Sequence, residues 1–183
     1  MMISHRIEYG MDKRGFTIVE LLIVIAILAT LLGIATLSYN SVMDRLYAEK
    51  QMKEMFTDLM NARVRAMQRN RPHFVVFTAS QYTVYEDMDP APDGDGTLTV
   101  GADTMIQQKN LMPKYPLTWP ADWTAASPLQ FNGKGLIPTD VVGGIPPWTV
   151  RISTPTSGEY DCIKVSEIKI TMGKWDGATC LAK

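Results

Sequence analysis

The feature that most constrains this chain is an uninterrupted apolar stretch close to its N-terminus. The 23 residues from Leu21 to Met43 contain no charged side chain, and the part that reads LLIVIAILATLLGIATL is almost entirely aliphatic. A helix of that length measures roughly 35 Å, which exceeds the roughly 30 Å hydrocarbon core of a bilayer. The sequence therefore predicts a membrane-spanning helix. The alternative is a buried core helix, but a domain this small rarely hides a helix that is apolar on every side.

The charges ahead of this stretch indicate its orientation. Asp12, Lys13 and Arg14 stand just before Gly15, so the flank next to the apolar run is basic. Basic flanks stay in the cytoplasm, and we therefore expect the N-terminus inside and the rest of the chain outside. A secretory signal would place its small-residue cleavage site after the apolar run, whereas here the small residue precedes it.

The residues around Gly15 also form a motif. The string KRGFTIVELL, from Lys13 to Leu22, closely resembles the prepilin signature of type IV pilins and type II secretion pseudopilins. In that family a membrane peptidase cuts after the glycine and methylates the new amine. The resemblance implies cleavage between Gly15 and Phe16, N-methylation of Phe16, and an assembly role for Glu20. It also implies a single-pass protein of the bacterial inner membrane, whose head lies in the periplasm before assembly.

Glu20 stands out on physical grounds as well. A carboxylate inside an apolar helix costs about 2.5 to 3.5 kcal/mol on insertion scales, so we expect a partner for it. After cleavage, the amine of Phe16 lies one helical turn away and pairs with Glu20 of the same chain or of a staggered neighbour. The alternative is a carboxylate that snorkels from the helix end towards water.

Residues 1–15 are interpreted as a leader peptide. Met11 begins the string MDKRG, which is a sufficient basic leader by itself, so translation starting at Met11 is an alternative. The mature chain is the same in both cases.

Beyond the predicted membrane-spanning segment, apolar residues continue to recur at helical spacing up to about residue 70. Pro72 disfavours helical geometry at the preceding residue, which predicts one helix from Thr17 to Asn70. Its apolar half covers 16–43 and its amphipathic half covers 44–71. We expect the apolar stripe of the second half to pack on a core, the alternative being an adaptable methionine-rich binding face. The stripe comprises Leu46, Met52, Met55, Phe56, Leu59, Met60, Ala62, Ala66 and Met67.

After Pro72 the apolar residues recur with a period of two, which is typical of β-strands. Residues 72–183 predict one β-rich head packed on the amphipathic half-helix, which is the α+β architecture of a pilin-like protein. The predicted strands are His73–Phe77, Tyr82–Tyr85, Thr97–Val100, Met105–Lys109, Leu129–Phe131, Trp148–Ser153 and Ile163–Met172.

The string LQFNGKG, from Leu129 to Gly135, resembles the Phe-x-x-x-Gly strand and turn in the head of GspH/FimT/FimU-type minor pilins and pseudopilins. The order of elements along nearly the whole mature chain is similar to that group too. The alternative is a generic turn in which Gly133 and Gly135 supply positive φ.

An aspartate-rich loop lies between Glu86 and Gly96. Asp87, Asp89, Asp93 and Asp95 carry hard oxygen ligands of the kind that calcium takes, although the spacing is not that of an EF-hand. The sequence favours a solvated hairpin loop, with calcium as a weaker candidate and a catalytic carboxylate pair as a third reading.

Cys162 and Cys180 lie in the part expected outside the cytoplasm, where disulfides persist. They predict a disulfide that closes a loop over a last strand at Ser166–Met172. Two buried free thiols are the alternative.

Composition excludes several classes of function. The 18 Lys and Arg against 19 Asp and Glu give a net charge of −1, which lacks the basic excess of a dedicated nucleic-acid binder. Two cysteines and two histidines, His5 and His73, argue against a zinc site and against a histidine-dependent hydrolase. We therefore expect neither an enzyme nor a bound cofactor.

The sequence thus predicts a minor pilin or minor pseudopilin packed near a filament tip. Its expected partners are the prepilin peptidase, other filament subunits, the inner-membrane assembly platform and membrane lipid. Major pilins often carry a helix-weakening proline at the position of Leu37, which argues against a major subunit. The alternative is a DNA-binding minor pilin for DNA uptake, supported only by Lys164, Lys169, Lys174 and Lys183.

We predict that the mature protein begins at Phe16 and carries a methylated amine, because the motif places the scissile bond after Gly15. Mass spectrometry of the protein extracted from membranes measures this directly. An N-terminus at Met1, Met2 or Met11 in a strain with an active peptidase would contradict the prepilin interpretation.

Overall fold

The computed structural model describes residues 15–92, 94–140, 142, 144–154 and 157–183, with the backbone alone over residues 35–38. One long helix is followed by antiparallel strands, which confirms the predicted α+β fold. The elements are α1 Ile18–Arg69, β1 His73–Phe77, β2 Gln81–Glu86, β3 Thr104–Asn110, β4 Leu117–Thr118, β5 Leu129–Phe131, β6 Trp148–Ile152, β7 Cys162–Val165, β8 Ile170–Trp175 and β9 Cys180–Ala182.

The chain divides into two compact units. The first ends at Ser41 and contains the apolar part of α1, and the second runs from Val42 to Lys183. The second unit holds the amphipathic part of α1 and two sheets. The first sheet has the order β3-β2-β1-β5, and the second sheet has the order β4-β6-β7-β8-β9.

Helix α1 ends where the sequence predicted, within one residue. Asn70 follows it with a φ of 50°, a left-handed conformation that asparagine tolerates better than most residues. The amide of Arg71 then donates to the carbonyl of Ala66 at 3.1 Å, which satisfies one of the last helical carbonyls. Pro72 prevents the helix from continuing, and β1 begins at the next residue.

The core of the second unit forms between the inner face of α1 and both sheets. Six α1 residues are at most 2% exposed and belong to one hydrophobic cluster with Val75, Leu129, Val150 and Ile163 from the strands. All six recur at helical spacing, and the sequence predicted every one of them except Ala48: they are Ala48, Met52, Met55, Leu59, Ala62 and Ala66.

The predicted apolar stripe differs from the buried face at its edges. Leu46 and Met67 are exposed, and Phe56 and Met60 are only partly buried. Glu49, a charged residue of the amphipathic half, is also buried. It is buried because a backbone amide of the head donates to its carboxylate, a contact that helical spacing cannot reveal.

Two strand predictions were wrong in detail. Residues 97–100 do not form a strand, because a side chain satisfies the backbone there: the amide of Thr99 donates to Asp103 Oδ2 at 2.7 Å. The segment predicted as one strand, Ile163–Met172, is two strands, β7 and β8, joined by a turn in which the Ser166 amide donates to the Lys169 carbonyl. The short edge strands β4 and β9 were not predicted.

We predict that a fragment beginning at Asp44 folds as a soluble monomer, whereas a fragment beginning at Pro72 aggregates. The shorter fragment loses the helical face that covers both sheets and would expose their apolar surface. Circular dichroism and size-exclusion chromatography of the two fragments measure this. A folded, monodisperse Pro72 fragment would show that the helix contributes little to the core.

Candidate functional site

The predicted processing junction, between Gly15 and Phe16, lies just outside the helix. Thr17 caps α1, since its hydroxyl accepts a hydrogen bond from the Glu20 amide at 3.2 Å and its carbonyl accepts one from the Leu21 amide at 3.1 Å. A Thr-x-x-Glu sequence favours a helix start at this point. Gly15 and Phe16 therefore precede the first helical turn, and the Phe16 side chain is 82% exposed. The bond that the motif predicts to be cleaved therefore lies outside the hydrogen-bonded helix; the basic residues Lys13 and Arg14 lie outside the described residues.

The apolar part of α1 is uncovered. Its large side chains from Ile18 to Ile34 are 44–79% exposed, and the most apolar window of the helix has a mean hydropathy of 2.8 with none of it buried. The alternative of a buried core helix is thus wrong for this structure. A surface of this kind is stable only in lipid or against other apolar helices. Glu20 stands in the first turn of this surface.

The amphipathic part of α1 is joined to the head by polar side chains as well as by the core. Asp58 accepts hydrogen bonds from the Tyr82 hydroxyl at 2.6 Å and from Gln107 Nε2 at 2.8 Å. Burial and the Asp58 carboxylate raise the pKa of Tyr82, so Tyr82 stays a hydrogen-bond donor at neutral pH. Gln51 accepts from the Met112 amide and donates to the Tyr115 carbonyl. Gln51 is not among the residues that the sequence singled out.

Glu49 makes a third polar link, between α1 and the loop ahead of β7. Its Oε1 accepts a hydrogen bond from the Glu159 amide at 2.8 Å, and Arg45 and Lys53 each approach the carboxylate to 3.1 Å. The hydrogen bond from Glu159, with the two basic side chains, lowers the pKa of Glu49 to about 2 despite its burial. Glu49 is therefore a charged, paired residue of the helix–head interface.

Another ion pair closes the far end of α1. Glu86 is 1% exposed, and its carboxylate contacts Arg69 at 2.5 Å and Arg71 at 3.6 Å. The hydrogen bond to Glu86 raises the pKa of Arg69. His73 lies opposite Glu86 in the first sheet, and burial lowers its pKa. These residues fix β1 and β2 to the end of the helix.

The Phe-Gly turn packs against the same helix end. Phe131 is fully buried, and a Cβ on Gly133 would lie 2.6 Å from Asn70 Oδ1. Gly135 has a φ of 71°, and a Cβ there would lie 2.7 Å from Met67 Cγ. Both glycines are thus required by close approach to α1, which gives the motif a physical meaning beyond a generic turn.

The structure confirms the disulfide between Cys162 and Cys180, with a Cα–Cα distance of 6.0 Å. It joins β7 to β9 across β8, where Gly173 pairs with Cys162. The strand that it crosses continues to Trp175, further than the sequence predicted. On the loop-entropy estimate a ring of this size stabilises the fold by roughly 3 kcal/mol.

The remaining predicted site residues do not converge. Asp87 is fully buried, Asp89 is half-buried, Asp95 is exposed, and Asp93 lies outside the described residues. Within the described ranges no group of three or more His, Cys, Asp or Glu side chains is placed to hold a metal ion. Instead, Asp95 accepts hydrogen bonds from the amide and hydroxyl of Thr97.

The lysines that supported the DNA-uptake alternative have different surroundings. Lys164 and Lys169 line one small groove with Ser166 and Thr171. Lys174 forms an ion pair with Asp161 at 2.5 Å. The positive charge at this end of the chain is therefore partly neutralised.

Comparison with known families identifies two matching regions. Residues 10–36 match the prokaryotic N-terminal methylation motif, and residues 51–168 match the family described as type II transport protein GspH. No curated protein and no solved structure shows a significant match to the chain.

We predict that Glu49→Gln destabilises the Asp44 fragment by on the order of 2 kcal/mol at pH 7, because the substitution removes a charge whose pKa is strongly lowered on folding. A lowered folded-state pKa stabilises the fold above the ordinary carboxyl pKa, and this stabilisation is lost as the pH falls towards 2. Urea unfolding at pH 7, 4.5 and 3 should thus show a shrinking difference from the unchanged fragment.

The matched control is Glu54→Gln, since Glu54 is exposed and lies 3.9 Å from Lys50. It should change the free energy of unfolding by less than about 0.5 kcal/mol. An equal effect of the two substitutions, or a Glu49 effect that does not vary with pH, would contradict the assignment.

Proposed function

Because the chain belongs to the GspH family of type II transport proteins, we propose that it is a minor structural subunit placed near the tip of a type II secretion pseudopilus or a type IV pilus. The N-terminal methylation motif supports this, since it marks proteins that a prepilin peptidase processes. The family is a structural one, and the proposal assigns no catalytic activity to the chain.

The observation that carries the proposal is the uncovered apolar half of α1. From Ile18 to Ile34 it offers nearly five turns of mostly aliphatic surface, and no side chain of its most apolar window is buried within the chain itself. Lipid can cover this surface before assembly, and the helices of other subunits can cover it afterwards. Soluble monomeric proteins rarely expose a contiguous apolar surface of this size.

Glu20 gives the packing of helices a defined register. Its carboxylate lies in the first turn of α1, four residues from the amine that cleavage would create at Phe16. An unpaired carboxylate in an apolar environment is costly, so a position in which it meets a positive amine is favoured over shifted positions. We propose that Glu20 pairs with the Phe16 amine of its own chain or of the adjacent subunit.

The proposed location follows from the same features. The basic flank before Gly15 supports an inner-membrane protein with its N-terminus in the cytoplasm and its head in the periplasm. The head's disulfide is consistent with an oxidising compartment. The assembly platform of the inner membrane would then extract the subunit into the filament.

A minor rather than a major role is supported by the region of Leu37. The helix α1 continues through this position, where major pilins often carry proline. We do not extend the proposal to DNA uptake, because Lys174 pairs with Asp161 and the chain has a net charge of −1.

We predict that Glu20→Leu leaves the protein folded and inserted in the membrane but reduces its incorporation into filaments at least several-fold. The substitution removes a desolvation cost, so insertion does not suffer, whereas pairing with the amine is lost. Immunoblots of membrane and sheared-filament fractions measure both quantities, with Leu21→Val as the matched control.

Normal incorporation of Glu20→Leu would contradict the pairing. A failure of membrane insertion would contradict the assembly role, because the carboxylate would then serve the membrane step. Absence of the unchanged protein from filament fractions would contradict the proposed function as a whole.

A further inference from the structure

Two aliphatic side chains of the head are almost entirely uncovered. Ile145 is 88% exposed and Ile168 is 68% exposed, the highest values among the large apolar side chains described in the second unit. Ile168 belongs to the turn between β7 and β8, and Ile145 stands three residues before β6. Exposed apolar side chains mark an interaction site where they form part of a contiguous surface.

A groove of about 450 Å³ joins the two loops that carry these side chains. Pro146 and Pro147, which follow Ile145, line it together with Glu167 and Ile168 of the β7–β8 turn. Ligand sites in proteins measure roughly 300 to 1,000 Å³, and most of their lining is apolar. The groove is therefore large enough to receive an aliphatic side chain of a partner.

The apolar surface extends from this groove to the end of α1. The amide of Ile137 donates to the Glu167 carbonyl at 3.0 Å, so the turn before Ile137 lies beside the β7–β8 turn. The same turn approaches the helix, where a Cβ on Gly135 would lie 2.7 Å from Met67. Leu136 and Met67 are both exposed. We define the apolar band as the exposed side chains of Met67, Leu136, Ile145 and Ile168.

Basic side chains flank the apolar band. Lys164 lines the apolar groove and also a smaller groove of about 200 Å³, which Lys169 lines too. At the helix end, Lys134 belongs to the turn before Ile137, and Arg63 lies against that turn. None of these four cations forms an ion pair with another described residue, and Glu167 is the one carboxylate among the described residues that line the two grooves. A complementary surface would therefore carry carboxylates.

The position of the apolar band along α1 favours a protein partner over the bilayer. Apolar side chains with lysines and arginines beside them also suit an anionic lipid surface. However, Met67 lies 24 residues beyond Met43, where the predicted membrane-spanning segment ends, and this separation is roughly 36 Å along the helix. The band thus lies at the end of the head that is remote from that segment in the helix.

We propose that the apolar band binds the head of a neighbouring filament subunit, whose contacting surface carries aliphatic side chains surrounded by carboxylates. This inference rests on the proposed function, since a filament holds the heads of different subunits in lasting contact. Ile145 and Ile168 are the anchors at the centre of the contact, and Lys164 pairs with a carboxylate at its rim. Contact between the bands of two copies of this chain would bring like charges together, so the partner is a different subunit.

Substitutions of exposed residues test this surface in cells that assemble the filament. Ile168→Ser and Lys164→Glu should each lower the amount of the full chain in sheared-filament fractions at least about fivefold, as expected for side chains that anchor an interface. Lys164→Arg keeps the charge and should be incorporated normally. Val100→Ser and Lys109→Glu are the matched controls, because they change an exposed apolar and a basic side chain in the β2–β3 loop and in β3.

The same variants must be folded and inserted for the comparison to hold. Each should reach the membrane in the amount of the unchanged chain, and the melting temperature in an uncharged detergent should differ by no more than about 2 °C, because surface substitutions perturb a fold little.

A photocrosslinker identifies the partner. The substitution Ile145→p-benzoylphenylalanine places the reactive group at the most exposed position of the band. Irradiation of intact filaments should give an adduct with another filament subunit, which mass spectrometry of the adduct identifies. Adding Lys164→Glu to this variant should lower the adduct yield per inserted chain at least about fivefold, because the charge that pairs with the partner is reversed.

Three results would overturn the proposal. The first is normal incorporation of Ile168→Ser and Lys164→Glu. The second is an equal loss in Val100→Ser and Lys109→Glu. The third is an Ile145 adduct that contains phospholipid or a secreted protein in place of a subunit. All three leave the proposed function intact when the unchanged chain is found in filaments, whereas its absence from filaments would contradict both.

Discussion

The structure depends on one helix that must satisfy two different environments. Residues 18–34 of α1 carry mostly aliphatic, exposed side chains, and the most apolar window of the helix is not buried within the chain. From Ala48 onwards the same helix is amphipathic and buries a single stripe in a core shared with two sheets. The first surface needs lipid or other helices, and the second needs the head. Helix α1 carries both surfaces, and Glu20 lies in its first turn.

The head holds its part of the helix with polar contacts arranged along the core. Glu49, Gln51 and Asp58 each accept hydrogen bonds from the head, and Glu86 receives Arg69 from the helix end. These contacts disfavour alternative registers of the helix, since a shifted helix would leave buried polar groups unpaired. These contacts therefore fix the head in one register along its part of the helix.

The outer face of the first sheet is stabilised by polar contacts, whereas the core is stabilised by apolar packing. There the loop between β2 and β3 lies in place of a helix or a second sheet. Several of its backbone amides donate to aspartate side chains and not to a neighbouring strand. Asp103 satisfies three amides of the loop, while Asp87 and Gln130 retain buried oxygens without donors. The first arrangement stabilises the loop without any ligand. The second leaves Asp87 Oδ1 and Gln130 Oε1 buried without a hydrogen-bond partner among the described residues.

The sequence by itself determined the parts of this protein that depend on local pattern. The charge-free run, the motif around Gly15 and the spacing of Met52, Met55 and Leu59 predicted the helix, its junction and its buried stripe, because these signals lie within a few turns of one element. Tertiary structure alone decided the contacts that join distant segments. Nothing near Glu49 in the sequence indicates its contact with the Glu159 amide, and nothing near Gly96 indicates its contact with Gln130. The absence of a strand at residues 97–100 has the same origin, since Asp103 competes successfully for backbone hydrogen bonds that periodicity assigns to a neighbouring strand.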